Sequence, residues 1–364
     1  MRAGPTSERR EALLEALEAE GLDGLVVTHL PNIRYLTGFS GSAGIVAVLR
    51  NETIFLSDFR YREQAEQEIG GAARVEIVAS DLWSKLWQLL AGYPGIEKLG
   101  FEGHTVTVDQ AQRFERGEVP VRLEAAPKLV ERLRVSKSDA EVRAVRSAAD
   151  LAAAALRATL ETVRVGQREQ DVAATLEREL RVRGSEWHPF QTIVASGPRS
   201  ALPHAATSTR EIEPGDWLLL DFGAQVDGYC ADITRTVVVG RQADERQRTV
   251  YQLVRDAQLR ARRHVCAGMT GREADALARS VIEEHGFGDA FGHSLGHGLG
   301  LEVHEEPRLS AKNEDGLPVG AVVTVEPGIY FPGWGGVRIE DDVLLGTNGA
   351  ELLSDGKTEL LELN

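Results

Sequence analysis

Leu and Ala recur at helical spacing among charged residues in the first stretch, and the pattern predicts an amphipathic helix to about Ala19. Strand-like apolar runs follow: GLVVTHL, GIVAVLR up to Asn51, and TIFLSD, with a further helix beginning near Arg60. Helix and strand signals in this order predict a small α/β domain built on a twisted sheet. The pattern changes near Pro127. Ser138 with Glu141 three residues on reads as a capping box before a long Ala-rich helix. A chain of 364 residues exceeds what one hydrophobic core ordinarily serves, so two domains are expected, 1–130 and 131–364.

The second region contains an internal repeat. Gly166-Gln-Arg-Glu169-Gln-Asp171 opens a helix that stops at Gly184, and Gly268-Met-Thr-Gly-Arg-Glu273 opens a similar one that stops at Gly286. Each helix is followed by an irregular, His-containing loop and then by an apolar run with the same punctuation. These runs are Gly215-Asp-Trp-Leu-Leu-Leu-Asp221-Phe-Gly223 and Gly320-Ala-Val-Val-Thr-Val-Glu326-Pro-Gly328. In both, a carboxylate stands six residues after the first glycine, with another glycine two residues later. An approximate internal two-fold would bring Asp221 and Glu326 toward a common axis.

Composition narrows the classes. Hydrophobic residues make up 42% and charged residues 27%, the balance of a globular protein rather than a disordered one. With 41 basic and 56 acidic residues the net charge is −15, which disfavours a nucleic-acid partner. No run approaches the roughly 18 apolar residues of a membrane span, and the amino terminus lacks the apolar core of a signal peptide. Two cysteines, Cys230 and Cys266, supply no disulfide framework and fit a reducing compartment, so a cytoplasmic location is expected.

Chemistry concentrates in the repeat. We read Asp221 as ending a strand, with a turn at Gln225-Val-Asp-Gly228 leading to a second strand that starts at Asp232; such a hairpin sets the two aspartates side by side. In the second half Glu326 precedes a Gly- and Pro-rich turn, and alternation along Gly336–Asp342 puts Arg338, Glu340 and Asp342 on one face. Taken singly, each acid is better explained as a solvated strand end. Two pairs in a duplicated frame point instead to one site. Like charges about 4 Å apart repel by roughly 4 kcal/mol at an effective dielectric of 20, so protons or divalent cations must neutralise them. An imidazole nearby favours metal, and the glycine-rich segment around His293, His297 and His304 supplies one; His297 is assigned as the fifth ligand. A short helix presenting both His293 and His297 is the alternative, and the intervening glycine favours a loop. His204 follows the irregular Ser196–Pro203 segment and has a surface histidine as its plain reading. The other five histidines read as structural.

The segments LLLDFGAQVDGYCADITRT, GHSLGHGLGLEVHEEPRL, TVEPGIY and GGVRIEDD resemble those of the pita-bread metallopeptidases, and among them the Xaa-Pro peptidases, prolidase and aminopeptidase P. NIRYLTGFSGSAG and FLSDFRYREQA resemble the creatinase-type domain that precedes the catalytic domain in that family. The resemblance implies an α/β creatinase-like amino-terminal domain followed by an α+β pita-bread catalytic domain with internal pseudo-two-fold symmetry. It implies metal ligands at Asp221, Asp232, His297, Glu326 and Glu340. It further implies that His204, His293 and His304 bind substrate and stabilise the reacting centre, that Glu326 moves a proton, and that Arg338 supports Glu340. Two divalent ions are expected, manganese or cobalt, with zinc as the alternative. Arg308 resembles an arginine that in prolidases holds a dipeptide carboxylate, which leans the reading toward an Xaa-Pro dipeptidase. The alternatives are aminopeptidase P acting on longer peptides, a noncatalytic peptide-binding homologue, and a metal-free amidinohydrolase of the creatinase type. A homodimer is implied by the family alone.

Overall fold

The structure, a computed structural model, describes residues 5–116 and 121–364; the first four residues of the amino-terminal segment lie outside this range. The chain divides into two compact units, Met1–Arg134 and Val135–Asn364. No helix among the described residues is long and apolar enough to cross a membrane.

Helices and strands alternate in the first unit: α1 (Pro5–Ala19), β1 (Gly24–Val27), α2 (Leu30–Thr37), β2 (Ile45–Leu49), β3 (Thr53–Asp58), α3 (Arg62–Ile69), β4 (Arg74–Val78), α4 (Leu82–Leu90), β5 (Lys98–Glu102), α5 (Val108–Arg116), β6 (Arg122–Ala126) and α6 (Leu129–Val135). The strands form one six-stranded sheet in the order β4-β3-β2-β1-β5-β6. The central pairs β1–β2 and β2–β3 are antiparallel and the outer pairs are parallel, as βαβ connections require. Val26, Ala47, Ile54 and Leu56 are buried against Leu86 and Leu90 of α4.

The second unit begins with α7 (Asp139–Leu160), whose start carries the expected cap: Glu141 accepts hydrogen bonds from the Ser138 backbone N–H at 2.9 Å and its hydroxyl at 2.7 Å. Then follow α8 (Glu169–Val182), β7 (Ile193–Ser196), β8 (Trp217–Val226), β9 (Tyr229–Val239), α9 (Glu245–His264), α10 (Gly271–Glu284), β10 (Gly296–Gly298), β11 (Glu305–Leu309), β12 (Val322–Val325), β13 (Gly328–Phe331), β14 (Gly335–Arg338), β15 (Asp341–Gly346), β16 (Gly349–Leu352) and β17 (Glu362–Leu363). Two sheets carry the repeat. One runs β17-β9-β8-β7 and the other β11-β10-β12-β15-β16, so that helix pair and antiparallel strands recur in the same sequence.

Alternation along these strands separates core from site. On β8, Leu218, Leu220, Phe222 and Ala224 are buried with α7 and α8, as are Ala231, Ile233, Val237 and Val239 of β9. Asp221 on β8 and Asp232, Thr234 and Thr236 on β9 therefore share the opposite face. In the second half Val323, Val325, Val343 and Leu345 are buried with Val254 and Ala257 of α9 and Ala274 and Ala278 of α10. That leaves Thr324, Glu326, Glu340 and Asp342 to the other side. Each large side chain fixed in these cores contributes about 1.5–3 kcal/mol relative to exposure. The carboxylates are thus carried on rigid strands with an apolar backing.

Candidate metal centre

Asp221 stands in the middle of β8 rather than at its end. The strand continues to Val226, because apolar residues fill the core face on both sides of the aspartate. β9 likewise begins three residues before Asp232, at Tyr229. Asp232 is the cross-strand partner of Gly223 and Asp221 that of Thr234, so the two aspartates sit diagonally on one face, two positions apart in register. Gly223 is required by close approach: a Cβ there would lie 2.3 Å from the Ala231 carbonyl oxygen.

The second carboxylate pair is built differently. Glu326 falls just beyond β12, and Arg338 and Glu340 do not share one continuous strand. β14 ends at Arg338 and pairs with β13, whereas β15 starts at Asp341 and pairs with β12. Glu340 lies in the break, where its N–H donates to the Thr234 carbonyl at 3.1 Å. His297, expected in a loop, is the middle residue of the short strand β10. A Cβ at Gly296 would stand 2.1 Å from the Thr324 carbonyl oxygen, so the glycines let β10 lie close against β12.

These elements converge on a cavity of about 460 Å³ lined by Asp221, Asp232, His297, Glu326 and Glu340, with His204, His293, His304, Arg308 and Arg338 also on its wall. Every residue singled out for this site from the sequence therefore borders one space. His297 Nδ1 lies 3.1 Å from the Gly298 carbonyl; as donor there it leaves Nε2 with a free lone pair. That Nε2 is 3.3 Å from Glu326 Oε1 and 3.8 Å from Asp232 Oδ2. Asp232, His297 and Glu340 place ligand atoms within 4.8 Å of one another.

Electrostatics show what the cavity lacks. Asp221, Asp232, Glu326 and Glu340 face one buried guanidinium, Arg338, whose Nη2 donates to Asp221 Oδ2, whose Nε donates to Thr234 Oγ1 at 3.1 Å and whose Nη1 donates to the Tyr330 hydroxyl at 2.8 Å. Burial, then the charge of Glu340 and Asp221, pushes Asp232 well above the usual carboxylate range; burial, then Glu326 and Asp221, does the same to Glu340. Burial raises Glu326 to about 7. Asp232 Oδ1 is buried with no hydrogen-bond partner. Burial and the neighbouring His304 lower His297 to about 3, which keeps the imidazole neutral and able to ligate. Carboxylates that resist ionisation, one orphaned carboxylate oxygen and a neutral imidazole fit divalent cations as the missing partners.

Several contributors escaped sequence reading. Thr234 Oγ1 donates to Glu340 Oε2 at 2.5 Å, and Thr324 Oγ1 accepts the His297 N–H and donates to Glu326 Oε1, both at 3.1 Å. Each threonine is two residues from a ligand on the same strand face, so period-two spacing from Asp232 and Glu326 could have found both. Tyr330 takes the Arg338 hydrogen bond and lies 2.9 Å from His293 Nε2, while His293 Nδ1 is 2.8 Å from the Ser294 carbonyl. Burial lowers His293 to about 4, consistent with a neutral ring that donates from Nδ1 and accepts at Nε2. His304 packs edge-on to His297 with ring centroids 4.4 Å apart. Arg308 is opposite His297 across β10–β11, which turns it to the same side. Phe190, Ile193 and Val303 add apolar wall.

Comparison with known proteins shows the family. Residues 9–136 match the creatinase/prolidase N-terminal domain, and residues 143–347 match metallopeptidase family M24. An Xaa-Pro dipeptidase of Pyrococcus furiosus is 38% identical over 97% of this chain and 99% of its own length. The solved structure of an Xaa-Pro dipeptidase from Bacillus anthracis superposes with a TM-score of 0.94 at 41% identity, covering 98% of this chain and all of that one. An X-Pro aminopeptidase from Thermotoga maritima superposes at 0.90 with 35% identity over 97% of this chain and 99% of its own. With a creatinase-type domain ahead of a pita-bread catalytic domain, the chain is a metallopeptidase and belongs to family M24.

Proposed function

We propose that the protein hydrolyses the peptide bond before proline with two divalent metal ions held by Asp221, Asp232, His297, Glu326 and Glu340, and that dipeptides are its preferred substrates. The observation that carries this reading is the convergence of four carboxylates, three buried and Glu326 half-buried, with one ligation-ready imidazole on a single cavity. An oxygen-rich donor set with one nitrogen suits manganese or cobalt over softer ions, with zinc as the alternative. When bound, such ions acidify a water and polarise the scissile carbonyl.

The chain's own groups perform the remaining work. Glu326, on the cavity wall beside His297, is placed to accept a proton from the attacking water and deliver it to the departing proline nitrogen. His304 at the cavity wall donates a hydrogen bond to the developing oxyanion. His204 and His293 seat the substrate, with His293 held through Tyr330 and Arg338. An Xaa-Pro bond has no N–H, so the apolar wall of Phe190, Ile193 and Val303 loses no hydrogen bond against the proline ring. Arg308 offers a bidentate partner to the free carboxylate of a dipeptide. Relatives named Xaa-Pro dipeptidase from Pyrococcus furiosus and Bacillus anthracis support the dipeptide reading. A homodimer, on family likeness, and a cytoplasmic location, on the sparse cysteines, complete the proposal.

The second reading is an aminopeptidase acting on longer peptides, favoured by the likeness to the Thermotoga maritima X-Pro aminopeptidase. Steady-state rates on Xaa-Pro and Xaa-Pro-Yaa separate the two. The native protein should prefer the dipeptide, and Arg308→Ala should raise KM for it by about 10-fold or more, the scale of one charge-assisted contact. A native preference for the tripeptide overturns the dipeptidase reading.

A further inference from the structure

Outside the catalytic cavity, three potential metal-binding side chains meet in the first unit. His29 immediately precedes α2, His104 lies in the turn after β5, and Glu131 is on α6; one ligand atom from each lies within 4.8 Å of the others. His104 Nε2 is 2.8 Å from Glu131 Oε1, and His29 Nδ1 is 3.9 Å from the same oxygen. Their side chains keep 21%, 28% and 18% exposure for His29, His104 and Glu131, enough for an ion to enter from solvent. Metal–ligand bonds of about 2.0–2.2 Å in a tetrahedral site set ligand atoms roughly 3.3 Å apart. The two measured separations bracket that value, so modest side-chain rotations suffice.

Their support is built in. Buried Asn32 donates through Nδ2 to Glu131 Oε1 and to Glu102 Oε1, both at 2.6 Å, and accepts from Arg134 Nη1 at 2.7 Å. Glu102 in turn accepts the backbone N–H groups of Thr28 and His29 at 2.7 Å each. One buried amide therefore orients the carboxylate of Glu131, and the acid it contacts fixes the backbone of His29. Partners that hold donors in this way are what give metal ligands their orientation.

We propose that His29, His104 and Glu131 form a binding site for one borderline divalent ion of the zinc class. Two imidazoles and one carboxylate make a softer and less acidic donor set than the four carboxylates and one imidazole of the catalytic cavity, and they select nitrogen-preferring metals over manganese or magnesium. The ion replaces the close contact between His104 and Glu131, ties together the ends of β1 and β5 with α6 of the same unit, and leaves its remaining coordination to solvent.

Equilibrium dialysis of the chelator-stripped full-length protein against zinc, with bound metal counted per chain, tests the site. The native protein should bind one equivalent more than His29→Ala or His104→Ala, and the double variant should lose that same single equivalent. The readout is a difference, so it holds whatever the catalytic cavity retains and stays separate from the fate of the proposed peptidase mechanism. Circular dichroism checks that each variant is folded, and Glu131→Gln gives a milder change should an alanine variant fail to fold. Asn32→Ala should keep the equivalent but weaken it by about 10–100-fold. Equal zinc binding by the native protein and the folded ligand variants would overturn the proposal, because the extra metal would then be held elsewhere.

Discussion

The two halves of the catalytic unit solve one problem in different ways. In the first, both acids stand inside a single continuous hairpin, Asp221 on β8 and Asp232 on β9, on one face and two positions apart in register. In the second, Glu326 lies past the end of β12 and Glu340 in the break before β15, because the β13–β14 hairpin is inserted between those strands. The hairpin brings Tyr330 and Arg338, and the preceding β10 brings His297. The regular half therefore fixes positions, while the interrupted half supplies the cation and the imidazole that four clustered acids alone would lack. Repetition accounts for where the carboxylates are; divergence accounts for why the site has chemistry.

Changes matched across the halves can break that comparison. Asp232→Asn and Glu340→Gln each remove one acid from an equivalent pair, and each should lower Xaa-Pro hydrolysis by about three orders of magnitude or more, the scale of losing a metal-activated nucleophile. Full activity in either variant would show that its half does not serve the site. Arg338→Met should destabilise the metal-free protein by about 3–5 kcal/mol in chemical denaturation, since it strips Asp221 of its buried partner. Thr234→Val and Thr324→Val test the supporting hydroxyls of the two halves; each should weaken metal binding by about 10–100-fold in a titration while leaving the fold intact.

The smallest effect is on pH dependence. Asp232, Glu326 and Glu340 have folded-state pKa values raised above their unfolded ones, Glu326 to about 7. In the metal-free protein their protonation stabilises the fold at low pH, and that contribution is lost as pH rises through those values. Metal must then supply the balancing charge. The melting-temperature gain from added manganese should accordingly be larger near pH 8 than near pH 5.5, and a gain that shrinks with rising pH would contradict the burial account.

Much of this was legible in the sequence because period-two alternation and repeated punctuation are local signals. The spacing from Gly215 to Asp221 and from Gly320 to Glu326 marked the equivalent acids, and Ser138 with Glu141 marked the start of α7. What alternation alone could not show was the end of a pattern. Phe222 and Ala224 carry β8 beyond Asp221, and the pairing of β14 with β13 separates Arg338 from Glu340. Those outcomes depend on which strand lies alongside, a long-range matter. Tyr330 is a similar case: its role comes from facing His293, 37 residues earlier in the chain. His29 and His104 read as ordinary structural histidines because nothing local links residues that α6, β1 and β5 bring together.

The central claim is that the carboxylates and His297 act through metal. Hydrolysis of an Xaa-Pro dipeptide by the native protein, measured before chelation, after chelation and during stepwise return of manganese, tests it most directly. Activity should vanish on chelation and return in proportion to the metal that Asp232→Asn fails to bind. Hydrolysis that continues unchanged in the stripped protein would contradict the account.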